Sequence, residues 1–286
     1  MDLSQRPPWS NKALGRLGDA LRDGVDPPSN CPSYADVMLW HSDLAAEVEE
    51  QIQNGSWAVV AELEATAARR IGAELRVSSR AKTADTLIDK LCRRPNQQLN
   101  TVQDLAGVRI DADLVLGEQT ELAAEIALHF GANETDIHDL RSGEHAGYRG
   151  VHVWLKLPAG RVEVQFRTLL QSLWANLFEK IADDYGREIR YGEPLKEPPP
   201  DTDLAEVQRL VDVMLNGSEQ IATIEAGWQK IAEIEDPHRR AREFSAVAMN
   251  KAMYLAGVAL MMKGDISRAA FTNFFGGQSS GQEGGG

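Results

Sequence analysis

Cysteine is scarce in this sequence, and so are other features that would assign it to a class. Its two cysteines fit neither a disulfide framework nor a zinc site, and they favour a reducing cytoplasm. No run of about 18 apolar residues occurs, so we expect no transmembrane helix and no membrane partner. The first residues lack the basic-then-apolar order of a secretory signal. The sequence therefore predicts a cytoplasmic globular protein.

Basic charge is also in deficit. The chain has 30 Lys and Arg against 43 Asp and Glu, a formal net charge of −13. A surface that coats nucleic acid needs clustered cations, so this balance argues against one. It still permits a local basic cleft, and the cations are in fact concentrated in one segment, RVSSRAKTADTLIDKLCRR, at residues 76–94.

The spacing of apolar residues predicts an α/β core between two helical arms. Three strands are expected, at GVRIDADL, GVHVWLKL and RVEVQFRT, and Pro158-Ala159-Gly160 joins the last two as a hairpin. We divide the chain into an N-terminal helical region (1–74), the α/β domain (75–195), C-terminal helices (196–265) and a disordered tail (266–286).

The basic segment predicts a phosphate site. Lys90 and Arg93 lie three residues apart, so they share a helix face, and Arg80 and Lys82 lie at the entrance of the predicted helix, which begins with TADTLIDKL. Thr86 adds a hydroxyl. Four cations and a hydroxyl suit a triphosphate, whose charge has to be neutralised at several oxygens. The alternative is a solvated basic face.

Asp104 stands just before the strand GVRIDADL, and it is a candidate ligand for Mg²⁺. This cation prefers one or two carboxylates together with substrate phosphates. Asp111 and Asp113 alternate along the same strand and would serve instead. A turn or helix-capping role is the simpler explanation for any one of them.

The predicted hairpin carries further candidates. Glu163 shares a strand face with Gln165 and Arg167, because side chains repeat every two residues. Its carboxylate would share the metal or accept a hydroxyl proton as general base. Tyr148, at the start of the hairpin, would stack on a base, and His152 on the same strand face would bind a phosphate or ribose.

Four blocks occur in one order: RAKTADTLIDKLCRR, DLAGVRI, GYRGVH and VEVQFRT. In this order they resemble the RelA/SpoT-type nucleotide pyrophosphokinase domain, over residues 76–190. The chain looks like a small alarmone synthetase, including the toxic branch of that group. The resemblance implies a mixed β-sheet flanked by helices, similar to nucleotidyltransferases. It also implies that ATP donates its β,γ-pyrophosphate to a ribose 3′-hydroxyl with Mg²⁺.

The resemblance also assigns roles to individual residues. The residues implied to bind ATP are Arg80, Lys82, Thr86, Lys90, Arg93 and Arg109. The implied catalytic and metal-binding pair is Asp104 and Glu163. The residues implied to bind the acceptor are Tyr148, Arg149, His152, Gln165 and Arg167.

The departures from the family pattern lie on the acceptor side. Glu144-His145-Ala146 stands where guanosine-specific members have Lys-x-Asn, Gly150 replaces a serine, and a later Glu-His-x-x-Tyr-Lys segment is matched only loosely by Glu179 and DDYG. The acceptor therefore stays open. The first candidate acceptor is GDP or GTP, whose modification would give (p)ppGpp and growth arrest. The 3′ end of tRNA, modified by a toxin with an antitoxin partner, comes second, and an adenosine acceptor third.

Two further properties stay open. A catalytically silent homologue that binds nucleotide or a partner belongs to a different class of function, because a fold does not guarantee activity. The helical arms are suited to a neutralising partner or to formation of a homo-oligomer.

Overall fold

The computed structural model of the chain describes residues 1–66, 75–82, 84–236, 238–240, 242–243, 252–254 and 256–257. These residues form two compact units that alternate along the chain. The first comprises Met1–Asp113, Thr120–His138 and Val151–Phe166, and the second comprises Leu114–Gln119, Asp139–Gly150 and Arg167–Gly286. The predicted tail and most of the predicted helix at 238–262 lie outside the described residues, and the predicted domain boundaries stay a prediction.

Seven helices and five strands are described. The helices are α1 (Asn11–Asp23), α2 (Tyr34–Asn54), α3 (Ala58–Thr66), α4 (Ala84–Arg93), α5 (Leu116–His129), α6 (Leu169–Tyr185) and α7 (Leu204–Ala232). The strands are β1 (Arg76–Ala81), β2 (Ala106–Ala112), β3 (Ile137–Asp139), β4 (Val151–Leu157) and β5 (Gly160–Thr168). In this part of the chain no helix has the length and apolarity that crossing a membrane requires.

The strands form one mixed sheet in the order β1-β2-β5-β4-β3, and the predicted fold class is confirmed. β1 pairs antiparallel with β2, and β4 pairs antiparallel with β5. The sequence analysis predicted β2, β4 and β5 but missed the two edge strands. β1 has the sequence RVSSRA, which lacks an apolar alternation, and β3 has only three residues.

The hairpin of β4 and β5 is anchored to α2. Gly160 has a φ of 150°, and a Cβ atom there would lie 2.9 Å from Leu44 Cδ2. Trp40 Nε1 donates a hydrogen bond of 2.8 Å to the carbonyl oxygen of Ala159. Because the turn is held on both sides, the strand that carries Glu163 has a fixed register.

The second unit is built around α6 and α7. Thr168 caps α6, and its hydroxyl accepts a hydrogen bond from the backbone N–H of Gln171. The two helices bury a shared apolar core that includes Leu170, Trp174, Phe178, Leu210 and Met214. Burial of this apolar surface is the main force that holds the unit together.

Candidate active site

Asp104 lies between two lysines in the first unit. Lys82 Nζ donates to one of its carboxylate oxygens at 2.5 Å, and Lys90 Nζ donates to the other at 2.7 Å. Lys82 follows the end of β1, Lys90 lies on α4, and Asp104 precedes β2. Three elements therefore bring together residues that are separated by up to 22 positions in the sequence.

The charges of this cluster determine its protonation. Burial raises the pKa of Asp104, but Lys82 and Lys90 outweigh that effect and lower it to about 2. Burial lowers the pKa of Lys82, and the neighbouring charge of Lys90 adds to this, while Asp104 opposes both. The carboxylate is thus ionised at neutral pH. Each ammonium has three N–H donors, so each lysine keeps donors beyond those that Asp104 uses.

Glu163 lies within electrostatic range of this cluster. Burial raises the pKa of its carboxyl group and so does the charge of Asp104, but His152 and Gln165 outweigh them and lower it overall. His152 Nδ1 lies 3.2 Å from one carboxylate oxygen, and Gln165 Nε2 donates to the other at 2.7 Å. The first unit therefore holds two ionised carboxylates and two lysines close together.

This arrangement gives a pH-dependent prediction for stability. We expect Asp104→Asn to lower the free energy of unfolding at pH 7 by about 2 kcal/mol, the equivalent of a pKa held near 2 instead of 3.8. The carboxylate's contribution is complete above its ordinary pKa of 3.8 and is lost as the pH falls through about 2. Urea unfolding of both proteins from pH 7 to pH 3 should show the difference shrinking towards acid. A difference independent of pH would contradict this assignment.

The other predicted ATP-binding residues lie on the same elements. Arg80 is in β1, where it pairs with Gly107, and its side chain lies outside the described residues. Arg109 is in β2 and pairs with Ser78. Thr86 and Arg93 are on α4, and Arg93 Nε donates to Asp89 at 3.2 Å. Their roles in binding ATP stay predictions.

The predicted acceptor residues fall into two sets. His152 and Gln165 hold Glu163 in the first unit. In the second unit, Arg167 Nε donates to the hydroxyl of Tyr148 at 3.0 Å, and its guanidinium carbon lies 5.0 Å from the centre of the tyrosine ring. A cation over the ring and a hydrogen bond at its hydroxyl together fix the orientation of Tyr148.

Arg149 makes contacts that the sequence analysis did not foresee. The residue is 6% exposed, and its guanidinium donates to the hydroxyl of Ser218 at 2.8 Å, to Glu219 at 2.7 Å and to the carbonyl oxygen of Arg141. Ser218 and Glu219 belong to α7. Its predicted contact with the acceptor stays a prediction. In this structure the side chain joins the loop before β4 to α7.

The backbone of this loop depends on the same helix. Gly147 has a φ of 80°, and a Cβ atom there would lie 3.0 Å from Trp174 and 3.1 Å from Leu215. The Ser218 hydroxyl donates to the Gly147 carbonyl oxygen. Only glycine fits this backbone conformation and this close approach without strain. Tyr148 is thus presented by a loop whose geometry is set by α7.

Arg149→Lys tests this anchor. A lysine ammonium cannot reproduce the planar fork of donors, and we expect a loss of about 2–4 kcal/mol in the free energy of unfolding, because buried polar partners lose their hydrogen bonds. Arg209→Lys, on the exposed side of α7, is the matched control and should change little. Chemical unfolding measures both. Equal effects of the two variants would exclude an anchoring role for Arg149.

The sequence analysis also missed a second pair of residues near the carboxylates. Arg161 donates to the side-chain oxygen of Gln103 at 3.1 Å, and Gln103 directly precedes Asp104. The Gln103 amide nitrogen donates to the carbonyl oxygens of Leu155 and Val162, at 3.2 and 3.0 Å. Arg161 shares the two-residue alternation of Glu163, so its position was detectable in the sequence. The contacts of Gln103 were not.

The two carboxylates provide a donor set that fits Mg²⁺. Asp104 and Glu163 supply hard oxygen ligands in ionised form, and Mg²⁺ is commonly bound by one or two carboxylates with substrate phosphates completing its shell. Among the described residues no group of three or more His, Cys, Asp or Glu side chains is arranged to hold a metal. The fit is therefore to a metal that is shared with a phosphate ligand.

Known proteins resemble parts of this chain. Residues 79–185 match the family model described as a region found in RelA / SpoT proteins. A GTP pyrophosphokinase of Bacillus subtilis, YjbM, is 28% identical over 127 residues, which cover 40% of this chain and 58% of that protein. The crystal structure of small alarmone synthetase 1 from B. subtilis bound to its product pppGpp aligns with a TM-score of 0.48 and 17% identity, covering 71% of this chain and 98% of that one.

A relative of nearly equal extent occurs in mycobacteria. An uncharacterized protein of Mycobacterium tuberculosis strain H37Rv is 56% identical over 269 residues, which cover 94% of each chain. Residues 79–185, from within β1 to the end of α6, thus contain the region found in RelA / SpoT proteins.

Proposed function

We propose that this protein is an ATP-dependent pyrophosphokinase that transfers the β,γ-pyrophosphate of ATP to the ribose 3′-hydroxyl of GDP or GTP, forming (p)ppGpp. The observation that carries the proposal is the cluster of Asp104, Lys82, Lys90 and Glu163 in one unit. The match of residues 79–185 to the region found in RelA / SpoT proteins supports the reaction type, and the name of the B. subtilis relative supports a guanine-nucleotide acceptor.

The residues proposed to bind ATP, the pyrophosphate donor, are identified by their charge. The triphosphate of ATP carries several negative charges, and Lys82 and Lys90 offer ammonium donors that are already oriented by Asp104. Arg93 on α4 and Arg109 on β2 would add further cations. Oriented cations of this kind stabilise the charge that develops when a phosphoryl bond breaks, and positioning supplies most of the catalysis in such transfers.

Asp104 and Glu163 would hold Mg²⁺, which neutralises and orients the phosphates when bound. The lowered pKa of Glu163 keeps it ionised at neutral pH. An ionised carboxylate is ready to accept a proton from the attacking hydroxyl, and His152 and Gln165 hold it in one orientation. The acceptor's base would stack on Tyr148, whose ring Arg167 fixes.

The acceptor assay separates the remaining alternatives. Purified protein is incubated with Mg²⁺ and ATP labelled in the γ-phosphate. One candidate acceptor, either GDP, GTP, unlabelled ATP or deacylated tRNA, is added to each reaction. Label on GDP or GTP supports the proposal and predicts growth arrest on expression. Label on tRNA instead supports a translation-blocking toxin with an antitoxin partner. Binding of ATP without label transfer to any acceptor supports a silent homologue and rejects the proposal.

A further inference from the structure

A cavity lies in the first unit, at the turn of the hairpin. Its volume is about 530 Å³, within the range of small-molecule sites. It is lined by residues of the N-terminal stretch between Arg6 and Leu14, by His41 of α2, by Leu99, Asn100, Val102 and Leu105 before β2, and by the hairpin end from Lys156 to Arg161. All the described lining residues differ from those assigned above to ATP, the metal or the acceptor.

The walls of this cavity are held in place. The backbone N–H of Ala159 donates to the carbonyl oxygen of Leu3 at 3.1 Å, and Ala159 also accepts from Trp40. The N-terminal ammonium pairs with Glu47 on α2. Trp9 packs edge-on against Trp40, with 5.8 Å between ring centroids. The N-terminal segment is therefore a built wall of the cavity.

The charge of the lining is one-sided. Its ionisable residues are Arg6, Lys156, Arg161 and His41, and no Asp or Glu occurs among the described lining residues. Lys156 pairs with Asp136 at 2.5 Å, whereas Arg161 donates to the neutral side-chain amide of Gln103 at 3.1 Å. Burial lowers the pKa of His41, which favours its neutral form. In a chain of net charge −13, this basic lining is a local exception.

Two polar atoms at the cavity are buried without a hydrogen-bond partner among the described residues. They are Nε1 of Trp9 and the side-chain oxygen of Asn100. The indole nitrogen is a donor only, and an amide can present either its oxygen or its nitrogen to a ligand. The N-terminus of α1, capped by Ser10, also opens here and favours negative charge.

We propose that this cavity binds a small phosphorylated molecule, separately from the donor and acceptor. Arg6 and Arg161 would pair with its phosphate oxygens, and Trp9 and Leu14 would contact its less polar part. A ligand that engages Arg161 acts on Gln103, which contacts Arg161 directly and precedes Asp104 in the chain. Its effect on catalysis rests on the proposed function, whereas its binding does not.

Calorimetric titration with inorganic pyrophosphate tests the binding. Wild type is compared with two variants of the cavity and one of the donor site. Arg6→Glu reverses an exposed charge of the lining, and Asn100→Asp adds a negative charge at nearly constant volume. Lys90→Ala weakens the proposed donor site. We expect one binding component to weaken at least tenfold in both cavity variants and to persist in Lys90→Ala. If all binding is lost in Lys90→Ala, or if neither cavity variant changes it, the cavity is not a phosphate site.

A rate measurement separates this inference from the proposed function. At saturating ATP and acceptor, Arg6→Glu should match wild type without pyrophosphate, and adding pyrophosphate should change the wild-type rate more than the variant rate. Competition at the donor site and chelation of Mg²⁺ act equally on both proteins. Equal responses would reject the coupling to catalysis. Absence of transfer in both would reject the proposed function, and the calorimetry would still decide the cavity.

Discussion

Asp104→Ala should lower the rate of pyrophosphate transfer by on the order of a thousandfold or more, the scale of removing a group that stabilises transition-state charge. Two effects combine. The variant removes a carboxylate that would hold the metal, and it leaves Lys82 and Lys90 without the partner that orients both ammonium groups. A radiolabel assay at saturating ATP and acceptor measures the loss, because it reports the chemical step instead of binding.

Asp111→Ala is the matched control. Asp111 lies in β2, seven positions after Asp104, and the sequence alone left it as an alternative metal ligand. It makes no ion pair with Lys82 or Lys90 among the described residues, so we expect its replacement to retain activity within about tenfold. An inactive Asp111→Ala beside an active Asp104→Ala would move the metal site to β2 and overturn the assignment.

Glu163→Gln should cause a loss of similar size while leaving ATP binding nearly unchanged. Glutamine keeps the shape of the side chain, and its oxygen can still accept one of the two hydrogen bonds from His152 and Gln165, but it removes the negative charge that would bind the metal or accept a proton. Separate measurements of ATP affinity and of the transfer rate distinguish this result from a general loss of the site.

The charge-matched control is Glu121→Gln, on the exposed face of α5, which should behave as wild type. The rate of the wild-type enzyme should also show no acid limb from Glu163 near neutral pH, because the pKa of this group lies below its ordinary value. A fully active Glu163→Gln would remove Glu163 from the catalytic assignment.

The hairpin and the strand face of Glu163 could be predicted from the sequence because their signals are local. Val162, Val164 and Phe166 alternate with polar residues, and all three are fully buried, so period-two patterning identified both strands and the face of Glu163. The basic helix was equally visible, since its charges occur within one segment. These local signals did not predict strand β1. Its polar sequence hid the strand, and the sequence analysis therefore placed Arg80 and Lys82 at a helix entrance.

The contacts that support the loop before β4 could not be predicted, for a different reason. Arg149 contacts Ser218, which lies 69 positions away in the sequence, and neither residue belongs to a pattern that connects them. A conspicuous Tyr-Arg pair is read most simply as two ligand-binding residues. Only the fold reveals that the arginine reaches α7 and that the tyrosine is held by Arg167. Such contacts depend on tertiary packing, which a single sequence specifies but does not display.

The fate of the two terminal phosphates of ATP tests the central claim most directly. ATP is labelled separately in the β- and the γ-phosphate and incubated with GDP or GTP. Transfer of an intact pyrophosphate predicts that both labels appear in the nucleotide product in equal amounts, with AMP as the other product. Transfer of the γ-label alone, with ADP as the other product, would contradict the account.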